Sequence, residues 1–312
     1  MARAMDLRIF VEPQFGATYS DQLAMAQAAE AHGFDAFFRS DHFLTMGGDG
    51  GVGPTDSWVT LGAIARETSR VRLGTLMTSA TFRQPGHLAI EVAQVDEMSG
   101  GRVELGFGAG WFEREHLAYG WSFPTEMGER FDRFEEQLEI VTGLWGTDNG
   151  STYSFSGHHY ALTDSPALPK PVQQPAPPVI IGGIGAKRTP RLAARFAAEY
   201  NLPFGDVETA ERQYGLVREA CEKAGRDPAT MILSHAITVF CDEDEASARA
   251  RAEAVGLAGP MLLTAAVGSP EQVAERLRQY ADAGATRSYL QLLEMRNLEH
   301  VERLARLHTL VT

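Results

Sequence analysis

The sequence predicts an α/β protein of the (β/α)8 barrel class, and three observations carry that prediction. Eight short apolar runs recur along 312 residues, with amphipathic stretches at helical spacing between them. Several of these runs stop at glycines or polar residues, as parallel strands do where they deliver chemistry to one edge of a sheet. The unit from Val71 to His116 shows the pattern most clearly: V-R-L-G-T-L-M-T-S-A-T-F-R, then Leu88, Val92, Val95 and Met98 at helical spacing between Pro85 and Met98, then G-R-V-E-L-G-F-G-A-G-W-F-E-R-E-H. The second strand begins so soon after the helix that the two should lie parallel through a right-handed crossover. A doubly wound open sheet is the alternative, because strand order is not written in a sequence.

Taken in order, Leu7 to Val11 is the first strand, and Tyr19 to Ala31 is a helix with Ser20 as its expected N-cap and Gly33 at its end. Phe34 to Phe38 is the second strand. It runs into Arg39, Ser40, Asp41 and His42, four polar side chains at the end of an apolar run. The Gly-rich loop Gly47 to Pro54 leads to a helix at Ser57 to Glu67 and then to the central unit. After Trp111 an irregular segment reaches Gly128, and Arg130 to Trp145 forms the fourth helix, with Phe131, Phe134, Leu138, Val141 and Trp145 on its apolar side. Ser151 to Leu162 alternate and turn at Gly157, which predicts a hairpin inserted after that helix. The Pro-rich run Pro166 to Pro178 brings the chain back, so residues 1–312 read as one domain with an insertion at about 148–177. Val179 to Ile181, Glu199 to Leu202, Met231 to Phe240 and Arg287 to Leu292 are the fifth to eighth strands. Helices are expected at Ala210 to Ala224, Glu243 to Ala254 and Pro270 to Ala283, and a last one near Leu298 to Leu307.

Composition narrows the function. With 44% hydrophobic residues the chain has ample material for a core, and its formal charge of −13 argues against a nucleic-acid footprint. No run of about twenty apolar residues predicts a membrane span. The N-terminus passes into a strand without a leader pattern, so the expectation is a cytoplasmic protein with a small-molecule partner. Cys221 and Cys241 form no C-x-x-C pair, and His158, His159 and His235 have no second ligand at metal spacing, so no metal site is expected.

Three loops carry candidate chemistry. Asp41-His42 is the best acid/base candidate, since imidazole is the side chain most easily poised near neutral pH and a neighbouring carboxylate can orient it. The bland alternative is a capping Asp beside a hydrogen-bonded His. Gly182-Gly183-Ile184-Gly185, between a strand and a helix start, lets backbone N–H groups approach an anion, although such turns also occur for steric reasons alone. Gly106 to Gly110 resembles a dinucleotide fingerprint only superficially, because no acidic residue follows at the usual distance.

The ordered set G-F-D-A-F-F-R-S-D-H, R-L-G-T-L-M-T-S-A-T-F-R-Q-P, M-S-G-G-R-V-E-L-G-F-G-A-G-W-F-E-R-E-H and P-P-V-I-I-G-G resembles the bacterial luciferase-like superfamily of flavin and deazaflavin oxidoreductases. The closer likeness is to its coenzyme F420 branch, and it spans Leu7 to about Leu292. The resemblance implies a barrel whose cofactor ring lies over the strand ends, with a non-proline cis peptide at Leu76-Met77. It places Asp41 and His42 beside the reactive edge of the ring, with His42 as proton donor or acceptor. Ala109, Gly110 and Arg114 would then lie along the ring and side chain, and Gly183, Ile184 and Gly185 at the phosphate. The branch's sugar-phosphate dehydrogenases carry a carboxylate where this chain has Trp111, so an apolar or aromatic substrate packing on Trp111 is expected instead. Glu113 and Glu115 are the nearby carboxylates. FMN in place of F420 would make the chain a monooxygenase, and loss of turnover would leave a ligand-binding barrel. The family's habit implies a homodimer.

Overall fold

The computed structural model describes residues 5–47 and 55–311. Along the chain the elements are β1 (Asp6–Val11), α1 (Tyr19–Ala31), β2 (Ala36–Arg39), α2 (Ser57–Glu67), β3 (Arg72–Thr75), β4 (Thr78–Ser79), α3 (Pro85–Ser99), β5 (Val103–Gly108), α4 (Glu113–Tyr119) and α5 (Met127–Gly146). There follow β6 (Tyr153–Ser156), β7 (Ala161–Ser165), β8 (Val179–Gly182), α6 (Arg188–Phe196), β9 (Glu199–Pro203), α7 (Val207–Lys223), β10 (Ile232–Cys241) and α8 (Glu245–Ala254). The chain ends with β11 (Ala266–Gly268), α9 (Pro270–Ala283), β12 (Arg287–Leu292), α10 (Leu298–Leu304) and α11 (Leu307–Leu310).

Eight parallel strands close on themselves in the order β1, β2, β3, β5, β8, β9, β10, β12, and β12 pairs back onto β1 from Asp6↔Arg287 to Val11↔Leu292. This is a (β/α)8 barrel, as predicted, and the open sheet is excluded by the β1–β12 pairing. The third strand is broken. The peptide Leu76-Met77 is cis, and the register on β5 changes by one residue between Gly74↔Glu104 and Thr78↔Phe107, so β4 resumes after a bulge.

Side chains alternate along each strand, so every second residue points into the barrel. Leu7, Ile9 and Val11 join the large core under the helices, whereas Phe10 packs inside with Phe38, Ile180, Ala236 and Tyr289. Below that apolar layer lies an ionic one. Arg8 donates to Glu104 at 2.6 Å, Glu104 also pairs with Arg72, and Arg287 pairs with Glu199 and with Asp6. Arg8, Glu104 and Glu199 are fully buried, and the Arg8 guanidinium lies 5.5 Å from the ring centroids of both Phe38 and Tyr289.

The hairpin β6–β7 forms its own two-stranded sheet, turning at Gly157 where its N–H donates to Tyr160 O. Glu136 of α5 holds it, accepting from the N–H groups of His158, His159 and Tyr160 at 2.6, 3.0 and 3.0 Å. Three local readings are corrected. The N-cap of α1 is Thr18, not Ser20, because Thr18 stands three residues before Asp21 and forms a reciprocal capping box with it. The segment after Trp111 contains the seven-residue helix α4, and β11 is an added short strand on the end of β10. The loop predicted at Gly47 to Pro54 lies, beyond Gly47, outside the described residues.

Candidate active site

The strand ends that open the barrel mouth are β1, β2, β4, β5 and β8. β2 is apolar up to Arg39 because it is buried on both faces, and the polar residues begin where the strand leaves the sheet. Arg39 is fully buried and structural: it donates to Gln22 Oε1, Thr55 Oγ1 and Thr55 O at 3.1, 2.8 and 2.7 Å. Burial pushes its guanidinium down to about 10, opposed by Asp41 and Asp56. Ser40 donates to Gln14 Oε1 at 2.6 Å.

Asp41 and His42 diverge. Asp41 Oδ2 accepts from Arg83 at 2.5 Å, and the same guanidinium reaches Asp56 at 2.6 Å and Glu91 at 3.2 Å. Asp41 Oδ1 is buried and has no partner among the described residues. His42 is oriented from elsewhere: its Nδ1 lies 2.9 Å from Glu115 Oε1. The expectation that Asp41 orients His42 is therefore corrected, since Arg83 draws the aspartate away and the buried Glu115 takes its place. The His42 ring stands edge-on to Trp111 and Phe112, with centroids 5.8 and 6.2 Å away. Trp111 is 60% exposed and stacks on Phe112 at 5.1 Å. Beyond them Phe43, Phe82, Tyr119 and Trp121 form a contiguous aromatic cluster, with Phe43–Trp121 at 4.9 Å and Phe82–Trp121 at 5.4 Å. His116 belongs to this wall and is bound at both nitrogens, to Phe112 O and Thr81 Oγ1. Burial lowers its pKa.

At the neighbouring strand ends the residues are small or apolar, and the space a larger side chain would take is filled by the protein itself. Leu76 is buried and Met77 packs with the inner apolar layer, and a Cβ on Gly182 would lie 2.5 Å from Met77 Cε. Gly110, at φ +83°, has no room for one either, since it would meet Ser79 Oγ at 2.4 Å and Thr81 Oγ1 at 2.6 Å. Ala109 is half-buried against the core. Arg114 and Glu113 are exposed on α4, and Arg114 has no partner among the described residues. The turn into α6 is held from behind: Tyr200 donates to Gly183 O at 2.5 Å and Gln213 to Ile184 O at 3.0 Å. Gly183 N–H donates to Asn201 O at 3.3 Å, which corrects the expectation that all three residues offer their N–H groups. Among the described residues the N–H groups of Ile184 and Gly185 have no partner, in the turn that leads to α6, whose dipole favours an anion.

A family model described as luciferase-like monooxygenase matches residues 5–262. The chain belongs to that family. It is 32% identical over 302 residues to the F420-dependent glucose-6-phosphate dehydrogenase of Microbacterium testaceum, covering 94% of this chain and 84% of that one. Among solved structures it is similar to monooxygenase RslO1 from Streptomyces bottropensis, with a TM-score of 0.79, 25% identity and 97% of each chain covered. It also shares the fold of an F420-dependent secondary alcohol dehydrogenase bound to an F420–acetone adduct, with a TM-score of 0.84 and 20% identity over 99% of each chain.

Two carboxylates of this luciferase-like barrel escaped the assignment of site roles. The sequence shows Glu115 only as a carboxylate near Trp111; its contact with His42 spans 73 residues and depends on α4. Glu12 lies two residues beyond Phe10 on the inward-facing period of β1, and that periodicity was the signal available for it. Gln291 donates to Glu12 at 2.8 Å. Burial raises its carboxyl pKa, with His42 nearby opposing the shift. No group of three or more His, Cys, Asp or Glu suited to a metal is present among the described residues.

Proposed function

We propose that this chain is a coenzyme F420-dependent oxidoreductase that exchanges a hydride with an apolar or aromatic small molecule. The observation that carries the reading is an imidazole with Nε2 unpartnered among the described residues, set beside an aromatic wall at the strand ends, in a chain 32% identical to an F420-dependent dehydrogenase over 94% of its length. The residues fit the cofactor. Asp41 Oδ1, buried and without a donor, suits a ring N–H. The bulge at Leu76-Met77 would back the ring, Ala109, Gly110 and Arg114 would flank it and its side chain, and Ile184 and Gly185 N–H with Gly183 would receive the phosphate. Bound there, F420 would supply a two-electron hydride carrier with carbon in place of flavin N5, which reacts poorly with oxygen.

His42 gives or takes the proton that accompanies the hydride, as an imidazole does best near neutral pH. Trp111 and its neighbours offer flat apolar surface, which suits an aromatic substrate better than a sugar phosphate. We read residues 1–312 as one domain with the 148–177 segment inserted, working in the cytoplasm, away from membrane and nucleic acid. No helix among the described residues is long and apolar enough to cross a membrane. A homodimer is the assembly that the family resemblance implies, and it belongs to this reading.

A fluorescence titration tests the cofactor. F420 should bind at least tenfold more tightly than FMN, about 1.4 kcal/mol. Equal or tighter FMN binding would favour an FMN-dependent monooxygenase, a second reading supported by the likeness to RslO1. Cofactor binding without turnover of any alcohol, ketone or imine would leave a ligand-binding barrel.

A further inference from the structure

We propose that Glu115 is a positioning residue that decides which nitrogen of His42 exchanges the proton. The proposal rests on the reading of His42 as proton carrier, and its first test needs neither cofactor nor substrate.

Both oxygens of the buried Glu115 are engaged. Oε1 meets His42 Nδ1 at 2.9 Å, while Oε2 accepts from the N–H groups of Phe43 at 2.8 Å and Leu44 at 3.3 Å. A carboxylate only accepts, so Nδ1 must carry the proton and the neutral ring keeps its lone pair on Nε2. Nothing among the described residues competes for Nδ1. Asp41 is turned to Arg83, Glu12 at the end of β1 pairs with Gln291, and Trp111 and Phe112 meet the imidazole only as aromatic rings at steep angles. In substrate oxidation a C–H bond breaks, and bound F420 would supply the acceptor for its hydride. The adjoining O–H or N–H bond breaks with its proton going to Nε2, and a C=O or C=N bond forms. The resulting imidazolium faces the Glu115 carboxylate through its other N–H. Reduction moves the same atoms back.

Glu115→Gln is nearly isosteric and separates this role from a structural one. The Phe43 and Leu44 N–H groups require an oxygen, so the amide turns its NH2 toward His42. Nδ1 must then accept, and the proton moves to Nε2. Long-range ¹⁵N–¹H correlation spectra of histidine-labelled protein at about pH 9, where an ordinary imidazole is neutral, should show the Nδ1–H tautomer in the wild type and the Nε2–H tautomer in Glu115→Gln. His42→Ala assigns the signal among the nine histidines. With saturating F420 and a substrate found active for the wild type, kcat should fall 10- to 1000-fold, with KM and cofactor Kd within threefold. An unchanged tautomer in a folded Glu115→Gln, or a reversed tautomer with unchanged kcat, would overturn the proposal. Full turnover in His42→Ala would instead remove the reading beneath it, and the tautomer spectra tell the two failures apart because they need no turnover.

Discussion

Each catalytic expectation at the residue scale depends on which partner holds a side chain. His42 has one ring nitrogen held by Glu115 and the other without a partner among the described residues, so its removal should affect the reaction more than the binding of cofactor. His42→Ala should lower kcat by roughly 10²- to 10⁴-fold, the usual contribution of general acid/base assistance, with F420 affinity within threefold. Steady-state kinetics and a binding titration check both halves. A large affinity loss with surviving turnover at saturation would make His42 a cofactor contact. Asp41 and His42 were legible in the sequence because four polar residues end an apolar run. Their partners were not. Arg83, Glu115 and Glu12 reach the site from segments distant in sequence, and only folding brings them together.

For elements, all eight barrel strands could be read from apolar runs, because the face under the helices is mostly apolar even where the inward face carries Arg8, Glu104 or Glu199. The short elements escaped. The buried residues of the seven-residue α4 are Glu115 and His116, so it shows no apolar stripe, and β11 has only three residues. The turn between β8 and α6 was legible as glycines, yet which N–H groups remain available depends on Asn201, which accepts the Gly183 N–H. Gly183 sits at φ +132°, a backbone region hostile to side chains, with only Thr189 near the place of a Cβ at 3.7 Å. Gly183→Val should therefore strain the turn and obstruct the phosphate, weakening F420 binding at least tenfold while kcat at saturation survives. Wild-type affinity in the variant would show that the turn serves packing alone.

Over the whole molecule, buried titrating groups shape the response to acid. Burial holds the His235 imidazole at about 3, stacked 3.9 Å from Tyr280. The unfolded chain takes up this proton near pH 6.5 and the folded one does not, so the stability tied to neutral His235 is present above pH 6.5 and lost as pH falls toward 3. His235→Phe should flatten that part of the Tm–pH curve relative to the wild type; parallel curves would contradict it. Glu104 adds a lower window. Burial would raise its carboxyl, but Arg8, Arg287 and Arg72 hold it at about 2, so its contribution is lost between pH 4.5 and 2.

The ionic layer inside the barrel also governs traffic. With Arg8, Glu104, Arg287 and Glu199 packed across the interior beneath Phe10, Phe38 and Tyr289, the centre of the barrel offers no passage among the described residues, so cofactor and substrate would both reach His42 from the barrel mouth. A cofactor ring lying over the strand ends would then sit deeper than the molecule it reacts with, so the first to enter is the last to leave. Binding should be ordered, and stopped-flow release of F420 should slow when substrate or product is present in excess. Release at the same rate with and without them would mean that the two partners come and go by separate doors.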